Sequence, residues 1–452
     1  MPTAAFLTMG CKVNQYDTDA MHETMHRNGY TIVDANEIAD VYVVNTCTVT
    51  NVADQKARKS IRRIIRQNPK AKVLVTGCYA ESDRETVEKI PGVTFVFGNR
   101  KKADFQGYLD KLRESELLRI EPIQHDPVRE HARFSAGISH TSQRTRALIK
   151  VQDGCSAFCT YCIIPYVRGR MTSRSLTDIV SEAERIAASG YKEIVITGVH
   201  LGAYGLDIER TADVGDILEQ IHPIEGIERI RFSSIEPMNF PDDLVDRMAA
   251  LPKCMPHFHL PLQAGNDKIL RSMRRRYTTS EYARLVENLR SAFPDVGITT
   301  DVMVGFPGET DNDFEESLQF VREIEFSQLH VFRYSPRRGT PAADYPDQVP
   351  PAVSAARSRR MIDLGNRLGN AFKRRMLGKK VDVLVEDSRE GKTGQLAGFT
   401  PNYLRVLLDV PASEINRIAS VKLVGLENEM IQGKTVHAAL RRTAANAPQP
   451  SI

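Results

Sequence analysis

At 452 residues the chain is too long for one ordinary hydrophobic core, and its 41% hydrophobic and 26% charged residues are typical of a globular protein. No run of ~18 apolar residues offers a membrane span, and residues 1–10 lack the basic start and apolar stretch of a secretory signal, so a cytoplasmic protein without a membrane partner is expected. A net charge of +4 neither excludes nor identifies a nucleic-acid partner, and seven cysteines in such a chain point to reduced ligands or nucleophiles rather than disulfides.

Residues 1–105 alternate strand and helix. Apolar runs at 4–8, 40–44, 72–76 and 93–97 read as strands, and 14–26, 52–66 and 83–89 as helices, which predicts a parallel α/β sheet. Cys11, Cys47 and Cys78 each follow one of the first three strands. Carboxyl ends of parallel strands share one edge, where ligands bind, so these three cysteines are expected to meet there as one cluster site. Residues 106–140 read as a polar linker with room for one helix.

Residues 141–372 hold six strand patterns, at 147–152, 193–197, 229–233, 257–262, 299–304 and 330–334, with helices between them such as 176–188, 282–292 and 311–324. Six such units predict an open or partial barrel, in which active groups lie at the C-terminal strand ends. The loop after the first strand reads Cys155-Ser156-Ala157-Phe158-Cys159-Thr160-Tyr161-Cys162. Three thiolates are one short of a closed zinc site and suit an iron–sulfur cluster with one iron open to another ligand. A zinc site completed by His257 or His259 is the alternative, and with it a non-catalytic, zinc-stabilised RNA-binding protein. Cys254 fits neither triplet and reads as structural. Residues 375–440 carry short strands at 381–386, 393–397, 403–408 and 420–423 with Gly and Asn turns, the pattern of a small β-barrel, and 441–452 read as a disordered tail. The fold class is α/β: a parallel sheet domain, a partial (βα)6 barrel and a small β-barrel.

Three basic stretches are candidates for phosphate contacts. Lys56, Arg58, Lys59, Arg62, Arg63 and Arg66 crowd one helix; Arg271, Arg274, Arg275 and Arg276 form a second group; Arg168, Arg170 and Arg174 follow the cysteine loop directly.

The octapeptide resembles the cluster loop of radical S-adenosylmethionine enzymes. Gly10-Cys11-Lys12-Val13-Asn14-Gln15-Tyr16-Asp17, Asn45-Thr46-Cys47 and Gly77-Cys78-Tyr79-Ala80 are similar to the signatures of one branch, the methylthiotransferases. Ile164-Pro165-Tyr166-Val167-Arg168-Gly169-Arg170, the segment from Gly198 to Gly205 and the segment from Val304 to Thr310 resemble further blocks, and residues 398–403 an RNA-binding TRAM barrel. Ala264 departs from the family's usual Ser, and Arg333 and Arg338 from its usual Pro. The resemblance implies a [4Fe-4S] cluster on Cys155, Cys159 and Cys162 that binds S-adenosylmethionine, and a second on Cys11, Cys47 and Cys78 that carries the sulfur. It implies cofactor contacts at Tyr161, Gly198, Glu236, Gly305 and Glu309, and RNA contacts at Arg168, Arg170, Arg174, Phe399 and Tyr403. Its implied partners are the anticodon stem-loop of tRNA and an electron donor such as flavodoxin or ferredoxin; the sulfur source stays open. Cys11-Lys12-Val13-Asn14 and Val151-Gln152-Asp153-Gly154-Cys155 look most like the branch that modifies threonylcarbamoyladenosine (t6A) in tRNA, with isopentenyladenosine or a ribosomal protein side chain as alternatives.

Overall fold

The computed structural model describes residues 1–113, 134, 135, 137–139, 145–208, 212–391 and 393–436. Most of the expected linker and all of the expected tail lie outside the described residues. Two compact units divide the chain, Met1–Gly369 and Asn370–Ile452.

The first unit opens with strands β1 (Thr3–Thr8), β2 (Thr31–Val33), β3 (Val41–Thr46), β4 (Lys72–Gly77) and β5 (Phe95–Val96), and helices α1 (Lys12–Arg27), α2 (Asn51–Gln67), α3 (Cys78–Ser82), α4 (Arg84–Glu88) and α5 (Phe105–Arg113). The sheet is parallel throughout, in the order β2-β1-β3-β4-β5. Every residue of β3 is buried, as suits an interior parallel strand covered by helices on both faces. The order reverses direction between β1 and β3, so a crevice opens beyond their carboxyl ends. The edge strand β2 is an addition to the sequence expectation; three residues are too few to show a period. The helix expected at 83–89 is α4, and α3 before it is an addition, separated from α4 at Asp83, whose backbone leaves the helical region.

The same unit continues through β6 (Arg146–Lys150), β7 (Gln152–Asp153), α6 (Ile164–Arg168), β8 (Thr172–Ser173), α7 (Leu176–Ala188), β9 (Glu193–Thr197), α8 (Val214–Ile221), β10 (Arg229–Phe232), α9 (Leu244–Ala249), β11 (His257–His259), α10 (Asp267–Ser272), α11 (Thr279–Ala292), β12 (Gly297–Val304), α12 (Asp311–Ile324), β13 (Gln328–Arg333) and the first part of α13 (Pro351–Met376), a helix that crosses the boundary at Gly369. Parallel sheets β6-β9-β10 and β11-β12-β13 are joined by parallel bridges from Ile230 to Cys254 and from Ser234 to His259. Six strands therefore run side by side in chain order, the partial barrel expected. β11 ends earlier than its apolar run because Pro261 has no N–H to give a ladder. Capping boxes at Thr278/Glu281 and Thr310/Asp313 start α11 and α12 and satisfy backbone donors at those ends. Ile149, Ile194, Ile196, Phe232, Phe258 and Ile298 fill the core. β7 and β8 pair antiparallel, so the cysteine loop is an excursion from the neck of a two-stranded ribbon.

In the second unit β14 (Lys380–Arg389), β15 (Leu396–Phe399), β16 (Arg405–Leu408), β17 (Ile418–Glu427) and β18 (Met430–Thr435) close into a barrel of order β14-β15-β16-β18-β17. Val383, Val385, Val406, Leu408, Val421 and Leu423 fill it. The fifth strand, β18, adds to the four read from sequence. It follows a two-residue hairpin loop, Asn428-Glu429, with both residues at positive φ, the handedness that matches twisted strands.

Candidate metal centres

All seven cysteines are free thiols. Cys11 caps α1 just past β1, Cys47 follows β3, and Cys78 opens α3 directly after β4. Two of these strands flank the crevice. Glycine is what lets the three loops close up. A Cβ on Gly10 would lie 2.8 Å from the Cys47 sulfur, and one on Gly77, at φ +100°, would lie 2.3 Å from the Thr46 carbonyl oxygen. Asn14 then sews two of the loops together, because its Nδ2 donates to the carbonyls of Met9 and Thr46 (both 2.9 Å). The three thiols lie close enough to disfavour one another's ionisation, and burial pushes Cys47 up to about 11 and Cys78 above the ordinary thiol value. Ligation to iron is what makes such buried thiols thiolates. Backbone N–H groups of Thr48 and Val49 face the Cys47 sulfur, and Asn99 Nδ2 lies 3.7 Å from that of Cys78. Donors aimed at sulfur fit a ligated thiolate and tune a cluster held there.

The second triplet is built the same way. The Cys155 sulfur accepts from the Ala157 N–H (3.5 Å) and lies 3.8 Å from His200 Nδ1, and Arg275 Nη1 lies 3.7 Å from the Cys159 sulfur. Burial pushes Cys155 up to about 12 and raises Cys162, and the neighbouring thiols add to both shifts. Gln152 fixes the loop to the end of β9: its Oε1 accepts from Val199 and His200 N–H (both 2.8 Å), while its Nε2 donates to the carbonyls of Asp153 and Gly154. Glu236, past the end of β10, pairs with Arg275, which also reaches the Pro261 carbonyl and the Tyr277 hydroxyl. Half-buried Tyr161 lies in the field of Arg275, Cys159, Cys162 and Glu236, and burial holds its phenol well above the ordinary value.

The two triplets are tied together. α6 begins two residues after Cys162 and packs on α3, which begins with Cys78. Asn99 Nδ2, beside Cys78, also donates to the Val167 carbonyl (2.9 Å). A buried ionic network joins α1 to the cysteine loop. Asp17 takes Lys150 (2.5 Å), Lys102 (3.0 Å) and Arg168 (3.4 Å), and Asp153 takes Lys150 (3.0 Å) and Arg168 (2.8 Å). These cations hold the Asp17 carboxyl well below the usual carboxylate range despite burial. Beyond Cys47, Arg337 grips Asp54 (2.8 Å) and Asn51.

Several expected contacts are corrected. Arg168 and Arg174 are not phosphate ligands: their side chains are 1% and 4% exposed. Arg168 is consumed by Asp153, Asp17 and Asn14, and Arg174 by Glu182, which also accepts from the Tyr16 hydroxyl (3.0 Å) and the Ile138 N–H. Glu309 turns inward, accepting from the Gly305 N–H and from Arg357 on α13 (both 2.7 Å), and Gly305 packs on Ser354, so that loop is clasped to α13. Beside half-buried Gly198 the N–H groups of Val199 and His200 donate to Gln152. His257 and His259 both meet Thr299, and His259 also Asp301; neither completes a cysteine site. Cys254 is buried on the bridge between β10 and β11, the structural place expected of it. Arg170 is exposed. In the second unit Phe399 and Tyr403 stack on each other, with centroids 4.7 Å apart.

Asn99 and Lys102 carry the site without having been singled out at all, while Gln152 and His200 stood inside quoted motifs and Arg275 in a basic stretch with no role beside the cysteines assigned to them. Asn14 and Asp17 stood inside the quoted Gly10–Asp17 motif, and their roles emerge only from what they touch. Among the described residues no three His, Cys, Asp or Glu side chains close on a single metal ion. A cubane is different, since each thiolate ligates its own iron and the triangle of sulfurs is wider.

Residues 149–321 match the Radical SAM superfamily, and residues 3–98 a family described as Uncharacterized protein family UPF0004. Over 429 residues, 94% of each chain, the protein is 39% identical to the threonylcarbamoyladenosine tRNA methylthiotransferase MtaB of Bacillus subtilis (strain 168). The chain belongs to the radical S-adenosylmethionine methylthiotransferases. The MtaB of Chlamydia pneumoniae is 36% identical over 96% of this methylthiotransferase and 98% of its own chain. The tRNA-2-methylthio-N(6)-dimethylallyladenosine synthase of Clostridium botulinum (strain Loch Maree / Type A3) is 33% identical over 95% and 96%. A radical S-adenosylmethionine methyltransferase from Kitasatospora setae, TsrM, solved with cobalamin and a [4Fe-4S] cluster bound, matches the fold at a TM-score of 0.57 and 17% identity, over 76% of this chain and 74% of that one.

Proposed function

We propose that this enzyme transfers a methylthio group to C2 of N6-threonylcarbamoyladenosine beside the anticodon of tRNA. The observation that carries the substrate is the near full-length similarity to two proteins named for it, at 39% and 36% identity. Cys155, Cys159 and Cys162 hold one [4Fe-4S] cluster with S-adenosylmethionine, and Cys11, Cys47 and Cys78 hold the other. When bound there, these groups supply the radical and sulfur chemistry that a side-chain base cannot perform on an unactivated C–H bond.

The protein's own residues place and insulate that chemistry. Gln152 and the Glu236–Arg275 pair fix the walls around the Cys155 loop, and Tyr161 gives it a flat, half-buried side. For RNA, Lys56, Lys59, Arg62, Arg63 and Arg66 stay exposed on α2, as do Arg170 and, beside the cysteine loop, Arg271, Arg274 and Arg276. Together with Arg271, Arg274 and buried Arg275, Arg276 lines a cavity of about 360 Å³ floored by Ser156, Ala157 and Phe158. The Phe399–Tyr403 pair of the small barrel offers a ring face on which an unpaired base can stack. A one-electron donor such as flavodoxin or ferredoxin completes the system. No helix among the described residues is long and apolar enough to cross a membrane, which accords with work on tRNA in the cytoplasm.

Mass spectrometry of tRNA nucleosides from a strain lacking the gene tests the reading. The methylthio form of threonylcarbamoyladenosine is expected to vanish while that of isopentenyladenosine persists. Unchanged t6A modification, or loss of the isopentenyladenosine product instead, would overturn the substrate.

A further inference from the structure

We propose that Lys102 and Arg168 are positioning residues for the N-terminal cluster: a buried pair of cations, in excess of the carboxylates they pair with, that holds the Cys78 edge of that cluster and locks it to the Cys155 loop. This rests on the reading of Cys11, Cys47 and Cys78 as a cluster site.

The argument begins with charge. The ion-paired set contains Lys102, Lys150 and Arg168 against Asp17 and Asp153, and the side chains of all five are between 1% and 8% exposed. Among the described residues one positive charge is left over. An uncompensated charge away from water costs several kcal/mol, so a buried network of this kind calls for another anion. The sulfur of Cys78 stands in that place. Asn99 Nδ2, 3.7 Å from that sulfur, also donates to the carbonyl of Val167, the residue before Arg168, and Arg168 and Lys102 both lie within the sulfur's field. With iron bound there, the three thiolates of Cys11, Cys47 and Cys78 would outweigh the positive charge of the oxidised cluster core by one, and the sum would close.

Connectivity gives the second part. Asp153 lies two residues before Cys155, and Arg168 lies six after Cys162. Arg168 Nη1 donates to both oxygens of Asp153 (2.8 and 2.9 Å), so this pair closes the neck of the loop that carries the radical-cluster ligands. Arg168 Nη2 donates to Asn14 Oδ1 (2.5 Å), the residue that sews the Cys11 and Cys47 loops together, and Lys102 reaches the same Asn14 and Asp17. One pair of cations thus touches the supports of both triplets. Their electrostatic effect falls on the N-terminal cluster, because a fixed positive charge beside a ligating sulfur favours the more reduced, more negative state.

Lys102→Met is the informative variant, since it leaves two cations against two carboxylates and a neutral network. In full-length protein whose Cys155, Cys159 and Cys162 are replaced by Ala, only the N-terminal cluster reports in a potentiometric titration followed by electron paramagnetic resonance. Lys102→Met is expected to raise the oxidised-to-reduced ratio about tenfold at a given potential, a shift of about 59 mV to more negative values for one electron, with iron content unchanged. Lys102→Arg restores the charge and is expected to keep the parent's midpoint. In the reciprocal background, with Cys11, Cys47 and Cys78 replaced, the remaining midpoint is expected to stay in place. Should Lys102→Met lose its fold, Lys102→Gln carries the same expectation and keeps a donor for Asp17. A full cluster whose midpoint does not move, or moves equally with Lys102→Arg, overturns the proposal alone. A parent that binds no iron at the N-terminal triplet overturns the cluster reading itself.

Discussion

Gly77 decides whether Cys78 can reach its two partners. Its φ of +100° and the absence of a Cβ let the end of β4 press on the Thr46 backbone just before Cys47. Gly77→Ala would put a carbon 2.3 Å from the Thr46 oxygen, in addition to about 1–3 kcal/mol of backbone strain. The expected outcome is a lower melting temperature and loss of iron from the N-terminal triplet, with the Cys155 triplet still loaded; iron analysis and thermal unfolding check it. At this scale the places of the cysteines were legible, because a cysteine just past a parallel strand lands on the sheet's carboxyl edge. Arg168 and Arg174 were misread because an arginine after a cysteine loop looks solvated until a distant carboxylate is brought to it. Arg168 takes Asp153 across the cysteine loop and Asp17 from α1, and Arg174 takes Glu182 from the helix that follows it, and no local pattern marks either pairing. The roles of Gln152 and Asn99 could not be read for a related reason: an amide's partners are set by the fold.

Helix α2 shows how an element divides its faces. Ala57, Ile61 and Ile64 are buried against the sheet, while Lys59, Arg62 and Arg66 share the outer side and remain exposed. Neutralising those three to Gln is expected to weaken tRNA binding and to flatten its salt dependence by about 0.7–0.9 in slope for each phosphate no longer neutralised. Melting temperature should hardly change, since surface substitutions of this kind stay within about 0.5 kcal/mol. An unchanged salt slope would remove α2 from the RNA interface. The long periodic elements were legible: α7, α12 and β9 have the bounds their patterns give. The short ones were not. β2 has three residues and β18 contains Gly433 and polar positions, so pairing with neighbours defines both strands more than composition does.

For the molecule as a whole, two cysteine triplets lie on separately coded strand edges of one compact unit and are joined by Asn99 and the Asp17 network. The order of strands was readable, because parallel βα units place loops on one edge whatever their sequence. The tie between the triplets was not, since it runs through five buried charges from four different stretches of chain. That organisation predicts two clusters loaded independently. The most direct test is the iron content of anaerobically purified wild-type protein and of two variants, one with Cys11, Cys47 and Cys78 replaced by Ala and one with Cys155, Cys159 and Cys162 replaced. The account predicts about eight irons in the wild type and about four in each folded variant. Stoichiometric zinc without iron, or about four irons in the wild type that one triplet's removal leaves untouched, would contradict it.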